Sequence, residues 1–522
     1  MRTLKTTFIL CLLACAPLAA QDDLAALRER IAAQQKQIEE MRSSLAEQQK
    51  LLEALTQKTA AVAAAQRPTP GEVAGKAATA APAPASPLQF SLGSAYFTPV
   101  GFMDFTAVFR DTDPGSNIGT NFGSFPYRTA AATNANLSEF RFSPQNSRLG
   151  MRVDAMVKGA KVLAYWESDF LGGVNNPPVG NLAVSTNSYP FRLRLYWVDV
   201  RKDKWEILGG QSWSLMTPGR KGISPLPGDL FYSQAIDVNY IVGFPWGRIP
   251  EFRFVYHPST KVTAGFALDN PEQYIGGSGG AGVSVLPTAF ATSYASQLNN
   301  GTTTLNVPNM HPDLIAKIAF DPSAKLHFEV AGVARTFRVY NPATAQHFTK
   351  TGGGGSANLN FELAKGLRVI SNNYFSDGGG RYVFGEGPDV VVKGDGSLGL
   401  VHTDAISDGL EFTHKNTLLY GYYGLAWIGR YTVTDPSNSK LVGYGYTGSA
   451  NSQNRRVAEY TIGFNQTLWK DAKYGALNIM GQYALFTRAP WYVASGTPSK
   501  THMNEVWMNL RYTLPGSAPT LK

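Results

Sequence analysis

From about residue 98 to residue 514 two alternations run together, one along the extended segments and one among the connections that join them. In VAEYTIGFNQTLW (457–469), Tyr460, Ile462, Phe464 and Leu468 share one face while Glu459, Thr461, Asn465 and Thr467 share the other. ALNIMGQYALF (476–486) places Leu477, Ile479, Tyr483 and Leu485 against Asn478 and Gln482, and FRLRLYW (191–197) places Phe191, Leu193, Leu195 and Trp197 against Arg192, Arg194 and Tyr196. A period of two is that of a strand with one apolar and one polar face. Short Lys-bearing turns are read at KGAK (158–161), RKDK (201–204), HPSTK (257–261), DPSAK (321–325), LAKGL (363–367), THKN (413–416) and KDAK (470–473). Between them lie long connections rich in Gly, Asn, Ser and Pro, at about 111–135, 171–189, 214–249, 269–311, 341–352, 376–400, 432–452 and 489–502.

Seven short turns alternating with eight long connections require sixteen strands. That alternation is the pattern of an outer-membrane barrel, with short turns on the periplasmic side and long loops outside. A soluble sandwich of this length would break into domains, and no break appears. After residue 20 no run of about 18 apolar residues occurs, which excludes a helical span. In hydrocarbon every backbone N–H needs a partner, so the sheet must close on itself. EVWMNLRYTL (505–514) closes it against GFMDFTAVFR (101–110), with Val506, Met508, Leu510, Tyr512, Met103, Phe105, Ala107 and Phe109 facing out. Trp507, Asn509, Arg511, Asp104, Thr106 and Arg110 then face in. Phe97, Tyr431, Trp469, Tyr474, Trp491 and Tyr512 are candidates for interfacial girdles. The fold class is thus an all-β, 16-stranded antiparallel transmembrane barrel over 89–515, with 516–522 as a short tail.

The N-terminal segment reads differently. Arg2 and Lys5 precede FILCLLACAPLAA and then QDD, the layout of a secretory signal over 1–20, cleaved after Ala20. LLAC ending at Cys15 is a weak match to a lipoprotein box, because Leu13 is a poor residue there. Both cysteines, Cys11 and Cys15, lie in this segment, so its removal leaves no thiol for a disulfide, zinc site or nucleophile. Over 21–66 a heptad carries Leu24, Ile31, Ile38, Leu45, Leu52 and Thr59 at a, and Leu27, Gln34, Met41, Gln48, Leu55 and Val62 at d. A sustained 3.5-residue seam predicts an α-helical coiled coil in the periplasm, roughly 60 Å long. The other reading is one amphipathic helix docked on the barrel mouth. Residues 67–88 are Pro- and Ala-rich and read as a tether.

The positions that alternate with the apolar face would line the lumen. That set is Arg110, Arg141, Arg148, Arg152, Arg192, Arg194, Arg253, Lys317, Arg335, Arg368, Arg430, Arg455 and Arg511. Fewer acids face them: Asp104, Glu139, Asp154, Glu167, Glu251 and Glu459. The formal charge is +9, and losing Arg2 and Lys5 leaves +7; the 21–67 segment balances its charges, so the excess belongs to the barrel. A low-dielectric wall focuses such a field and favours anions. The opposing expectation is that these arginines pair with neighbouring acids or hold lipopolysaccharide phosphates at the rim. The 214–249 connection, carrying Arg220, Lys221, Asp229, Asp237 and Arg248, has the length and Pro/Gly content of a loop folded inward as a constriction, or of an outer cap. The 269–311 connection is almost uncharged and reads as an external lid or subunit contact.

SRLGMRVDA (147–155), YWESDFLGG (165–173), FRLRLYWVDV (191–200) and GGQSWSL (209–215), in that order, resemble the trimeric porin superfamily and, within it, the DcaP-like porins. The resemblance implies a homotrimer in outer-membrane lipid, a periplasmic coiled coil before the barrel, a constriction loop after the fifth strand, and passive uptake of small, often anionic, organic acids. The chain departs from the pattern by ending in PGSAPTLK rather than on an aromatic residue, and Pro144 interrupts the second strand.

A passive porin is therefore the leading reading. Alternatives are a sugar-preferring channel, with Tyr196 and Trp507 in an aromatic slide, and a structural tether reaching towards the cell wall. An enzyme is not expected: His311, His402 and His502 lie near loops without a supporting motif, and the seven histidines lack metal-ligand spacing. No cofactor, metal or nucleic-acid partner is implied.

Overall fold

The computed structural model describes residues 86–172, 189–230 and 234–516, and, between 32 and 50, residues 32–37, 39–40, 42–43, 46–47 and 50, which are helical. The remainder of the expected coiled coil, the signal segment, residues 67–85 of the tether and residues 517–522 lie outside the described residues.

Sixteen strands follow in antiparallel order: β1 (Ala95–Arg110), β2 (Glu139–Ser143 with Arg148–Val157), β3 (Ala160–Asp169), β4 (Arg192–Lys202), β5 (Trp205–Trp213), β6 (Arg248–Tyr256), β7 (Val262–Asp269), β8 (Asp313–Ser323), β9 (Leu326–Asn341), β10 (Gln346–Ala364), β11 (Leu367–Asp377), β12 (His402–His414), β13 (Thr417–Ile428), β14 (Asn454–Asp471), β15 (Gly475–Pro490) and β16 (Thr501–Thr513). Each pairs with the next, and β1 pairs with β16 from Phe102↔Thr513 to Arg110↔Glu505, so the sheet is a closed barrel. A three-residue segment, Phe90–Leu92, adds to the start of β1.

Pro144 lacks the N–H that a central strand needs, and β2 is interrupted there. Its two halves still pair with one strand: Ala95–Phe102 with Arg148–Ala155, and Thr106–Arg110 with Glu139–Ser143. Ser147 Oγ bridges the gap by accepting from Asp104 N at 2.9 Å and donating to Asp104 O at 3.2 Å.

The short turns form one end of the barrel and the long connections the other. Val157 and Ala160 pair across Lys158–Gly159, both at positive φ (49° and 81°), the two-residue turn that matches strand twist. One expected long connection is different. Residues 346–352 belong to β10, and only 342–345 turn back, because Gly352–Gly355 carry ladder pairs with β9 and, from Gly353, with β11. A Cβ on Gly352 would stand 2.4 Å from Asp377 O, so this glycine run permits close strand approach.

Burial separates two faces along each strand. On β1, Met103, Phe105 and Phe109 are exposed while Asp104, Thr106, Val108 and Arg110 are buried. Val506, Met508 and Leu510 of β16, and Tyr460, Ile462 and Phe464 of β14, are also exposed. The exposed side is the outer wall; the buried side faces the interior, where Phe122, Phe125, Met216, Val242 and Val383 from three connections pack on Ile315, Ala405, Val457 and Phe486 of the wall. At the turn end, the rings of Trp205 and Tyr256 (4.5 Å) and of Trp469 and Tyr512 (6.2 Å) meet at a tilt, with exposed Tyr474 accepting from the Tyr512 hydroxyl through its carbonyl. Tyr431 and Trp491, proposed for a girdle, instead pack on the inner cluster at the loop end.

Candidate functional site

The 214–247 connection leaves β5 and returns to β6, yet its backbone is tied to the far wall. Gly219 N donates to Glu329 Oε1 at 3.0 Å and Gly222 N to Asp321 Oδ2 at 2.9 Å. Further along, Gln234 N donates to Tyr422 Oη (2.8 Å), Ile236 N to Gln482 Oε1 (2.6 Å) and Val242 N to Glu459 Oε2 (2.8 Å). Arg220 grips Glu411 of β12 through two bonds of 3.0 and 2.7 Å. A segment with acceptors on β8, β9, β12, β13, β14 and β15 crosses the interior; a cap above the mouth would not reach them. Asp237, on the same segment, accepts from Thr120 N of the first long connection (3.1 Å). Asp229 accepts from Ser224 Oγ (2.8 Å), and Lys221 is exposed.

The wall arginines fall into two groups. Most are matched by acids. Arg110 binds Glu505 (2.5 Å) and Glu139, Arg141 binds Glu139 (2.8 Å), and Arg152 binds Asp154 (2.7 Å). Arg253 binds Glu251 (2.6 Å), Lys317 binds Glu329 (2.9 Å), and Arg511 binds Asp104 (2.6 Å). Arg335 bridges Asp313 (2.9 Å) and Asp389 (2.7 Å), and Arg368 stands 3.9 Å from Glu362. Five of these partners, Glu505, Glu329, Asp313, Asp389 and Glu362, were not in the acid set read from the sequence.

The second group is less balanced. Arg194 donates to Glu167 Oε1 (2.6 Å) and Asp169 Oδ2 (2.7 Å), and Arg192 holds Asp169 through bonds of 3.0 and 2.7 Å. Arg148 is 3.8 Å from Glu167. Arg248, the first residue of β6, lies over Trp213 (5.7 Å) and Trp246 (5.5 Å), within Coulombic range of Arg192, Arg194 and Asp169, and its Nη1 has no hydrogen-bond partner among the described residues. Four guanidiniums thus share two carboxylates on β2, β3, β4 and β6. The sequence placed Arg248 in the loop; only the backbone shows it opening a strand beside this cluster.

Three expectations about side-chain direction need correction. Arg194 is the extra residue of a bulge opposite Glu167/Ser168. The added residue reverses the parity of the rest of β4, so Leu195 and Trp197 are buried while Tyr196 is 63% exposed on the outer wall. Arg430 lies beyond the end of β13 and is exposed. Arg455 sits at a bulge between Asn454 and Arg456, exposed, with its guanidinium 5.8 Å from Trp491, and does not line the inner wall. Trp507 does face inward, but it is buried under Arg110 (5.4 Å) with Nε1 donating to Glu505 (3.0 Å). The aromatic slide thereby loses both named members.

On the outer wall His402 lies between Asp377 (2.9 Å) and Asp404 (3.1 Å), one carboxylate at each ring nitrogen. No hydroxyl or thiol nucleophile joins it among the described residues, and neither nitrogen is free to act as a base. No group of three or more His, Cys, Asp or Glu among the described residues has metal-binding geometry.

No family model matches the chain, and no curated protein matches it. Solved structures do. The outer-membrane channel DcaP of Acinetobacter baumannii superimposes with a TM-score of 0.59 at 16% identity, over 81% of this chain and 99% of that one. An anion-selective porin from Comamonas acidovorans covers 80% of this chain and 100% of its own at 12% identity, with a TM-score of 0.43. The fold is that of the outer-membrane porins.

Proposed function

We propose that the chain is an outer-membrane porin, a passive water-filled channel without chemistry or an energy source, that favours small anionic organic acids. The supporting observation is the Arg148, Arg192, Arg194 and Arg248 cluster with only Glu167 and Asp169 among it, set beside a segment that crosses the interior. Arg forks match carboxylates in geometry, and an unmatched guanidinium in a low-dielectric wall attracts anions strongly. The preference is mild, because most other arginines are neutralised by their own partners.

The long connections then face the exterior and the short turns the periplasm. On this reading the signal segment directs export, residues 24–62 form a periplasmic coiled coil, and three copies assemble through it and through barrel walls. DcaP supports this reading as a channel of the same fold.

Reversal potential across a planar bilayer under a KCl gradient tests the proposal. Anion preference that falls in Arg192→Gln/Arg194→Gln is the expected result. Cation preference in the wild type refutes the selectivity, and a silent bilayer favours the tether reading.

A further inference from the structure

The crossing segment is fastened to the wall near its turn end through a histidine. His327, the second residue of β9, is buried with Nδ1 2.9 Å from Asp321 Oδ1 of β8 and Nε2 3.2 Å from Glu329 Oε2. Each carboxylate gives the histidine one oxygen and the segment the other. Asp321 Oδ2 accepts from Gly222 N at 2.9 Å, and Glu329 Oε1 accepts from Gly219 N at 3.0 Å. A neutral imidazole has one N–H, so only the imidazolium donates to both carboxylates at once. Deprotonation sets a ring lone pair against a carboxylate oxygen and leaves one of the two groups that hold the segment without its orienting donor.

The two arms are unequal. Glu329 Oε1 also accepts from Lys317 Nζ (2.9 Å) and Asn358 Nδ2 (2.8 Å), and Lys317 Nζ donates in addition to Thr217 O (2.7 Å). Among the described residues the Asp321 carboxylate has only His327 and Gly222, and its side chain is 17% exposed against 0% for Glu329. The loss therefore falls first at Gly222. Asp321 and Glu329 are the charges that act on His327 directly. Behind Lys317 stand Arg253 and Glu251 of β6, themselves bonded at 2.6 Å. Arg368 of β11, with Glu362 3.9 Å away, donates at 2.6 Å to Asn360, the ladder partner of His327. Arg220 is committed to Glu411, and Lys221 and Lys325 are exposed. Further along the segment, Gln234 and Ile236 are held by uncharged groups, Tyr422 Oη and Gln482 Oε1. A change in the charge of His327 acts on 217–222 and spares that stretch.

We propose that His327 is a pH-sensitive latch: as the imidazolium it seats the crossing segment against β8 and β9, and its deprotonation in alkaline solution releases the Gly219–Gly222 bend into the passage. Its effect on current rests on the channel reading; the seating itself depends on neither conduction nor selectivity.

Hydrogen exchange of the whole chain in detergent, read by mass spectrometry and corrected for the intrinsic pH dependence of exchange, tests the seating from about pH 6 to about pH 9. In the wild type the protection of 217–222 should fall about tenfold over that range, the worth of one charge-assisted hydrogen bond, while Gln234–Ile236 holds steady. His327→Gln should show the lowered protection throughout. His327→Lys, whose ammonium serves both carboxylates, should keep the high protection throughout. Open-channel noise in single-channel records should rise with pH in the wild type and be flat in both variants, high with Gln and low with Lys. Protection of 217–222 that does not change with pH in the wild type overturns the latch, as does a wild-type pH profile in His327→Gln. A Lys variant as loose as the Gln variant also overturns it, by showing that ring shape rather than charge seats the segment. Exchange that follows the latch while noise stays level at every pH refutes the release into the passage. Exchange that follows the latch in a protein that never conducts fails the channel reading alone.

Discussion

Replacing Arg220 with Ala tests whether the interior segment is a seated element or a loop that happens to lie inward. Arg220 and Glu411 are nearly buried, with side-chain exposures of 7% and 2%, and are joined by two charge-assisted bonds. Without Arg220, Glu411 keeps, among the described residues, the Tyr422 hydroxyl at 2.8 Å as its donor. Removing one partner of a buried pair costs about 3–5 kcal/mol, since the other charge stays desolvated. The barrel ladder does not depend on this pair, so the loss falls on the seating of the segment around Gly219–Gly222. A cost of about 3 kcal/mol shifts the unseated:seated ratio by roughly 150-fold, at 1.36 kcal/mol per tenfold. Single-channel recording should then show larger open-channel noise and altered conductance. The double replacement Arg220→Met/Glu411→Leu should be closer to wild type, because it leaves no orphaned charge. Wild-type conductance and noise in Arg220→Ala, or a double variant as perturbed as the single, would refute the reasoning.

Arg248→Gln should reduce anion preference in the reversal-potential assay more than Arg253→Gln, since Arg253 is bonded to Glu251 at 2.6 Å whereas Arg248 Nη1 has no hydrogen-bond partner among the described residues; equal effects would dissolve the distinction. In reconstituted barrels Tyr196→Cys should resist a water-soluble maleimide that labels Arg192→Cys, and the reverse order would mean the β4 bulge is wrong. Glu386, in the 378–401 connection, is fully buried with neither carboxyl oxygen hydrogen-bonded among the described residues. Burial pushes its carboxyl well above the usual carboxylate range against the opposing charge of Arg488. The unfolded chain ionises above about pH 4.3 while the folded one keeps its proton, so stability is full below that value and falls as pH rises towards the folded pKa, by about 1.4 kcal/mol per unit. Glu386→Gln should therefore gain in melting temperature over wild type as pH goes from 4 to 8, and a pH-independent gap would count against it.

The barrel was legible because lipid imposes a rule on every strand: one face apolar, one polar, each backbone group paired. The rule is read from side-chain order alone, so it located the closing pair β1–β16 and the break at Pro144. It fails where one residue is inserted. Arg194 occupies a bulge, and from there to the turn the period continues with its meaning reversed, so Tyr196 exchanged places with Trp197. Nothing in FRLRLYW marks the insertion, because both phases offer an apolar row. The Gly352–Gly355 run misled for a related reason. Glycine is depleted in strands for lack of packing, yet here the absent Cβ is what lets β9 to β11 approach.

The lining resisted sequence reasoning for a different cause. Arginines were assigned to the interior by parity, but their partners come from strands and connections far along the chain: Glu505 for Arg110, Asp389 for Arg335, Glu411 for Arg220. Glu505 and Glu411 sit in alternating segments of their own and Asp389 in a connection, where each looks like any other polar residue. Counting cations against acids on one strand therefore overstates the interior field, and the excess of +7 is not spread over the lining. Part of it stands outside the lumen, as Arg430, Arg455 and Arg456 do. Within, it is concentrated where four guanidiniums meet two carboxylates. A field made by one cluster acts over roughly a Debye length of about 10 Å at 0.1 M salt. Any selectivity it confers should weaken steeply as ionic strength rises, whereas a uniformly basic lining would keep a preference along the whole passage.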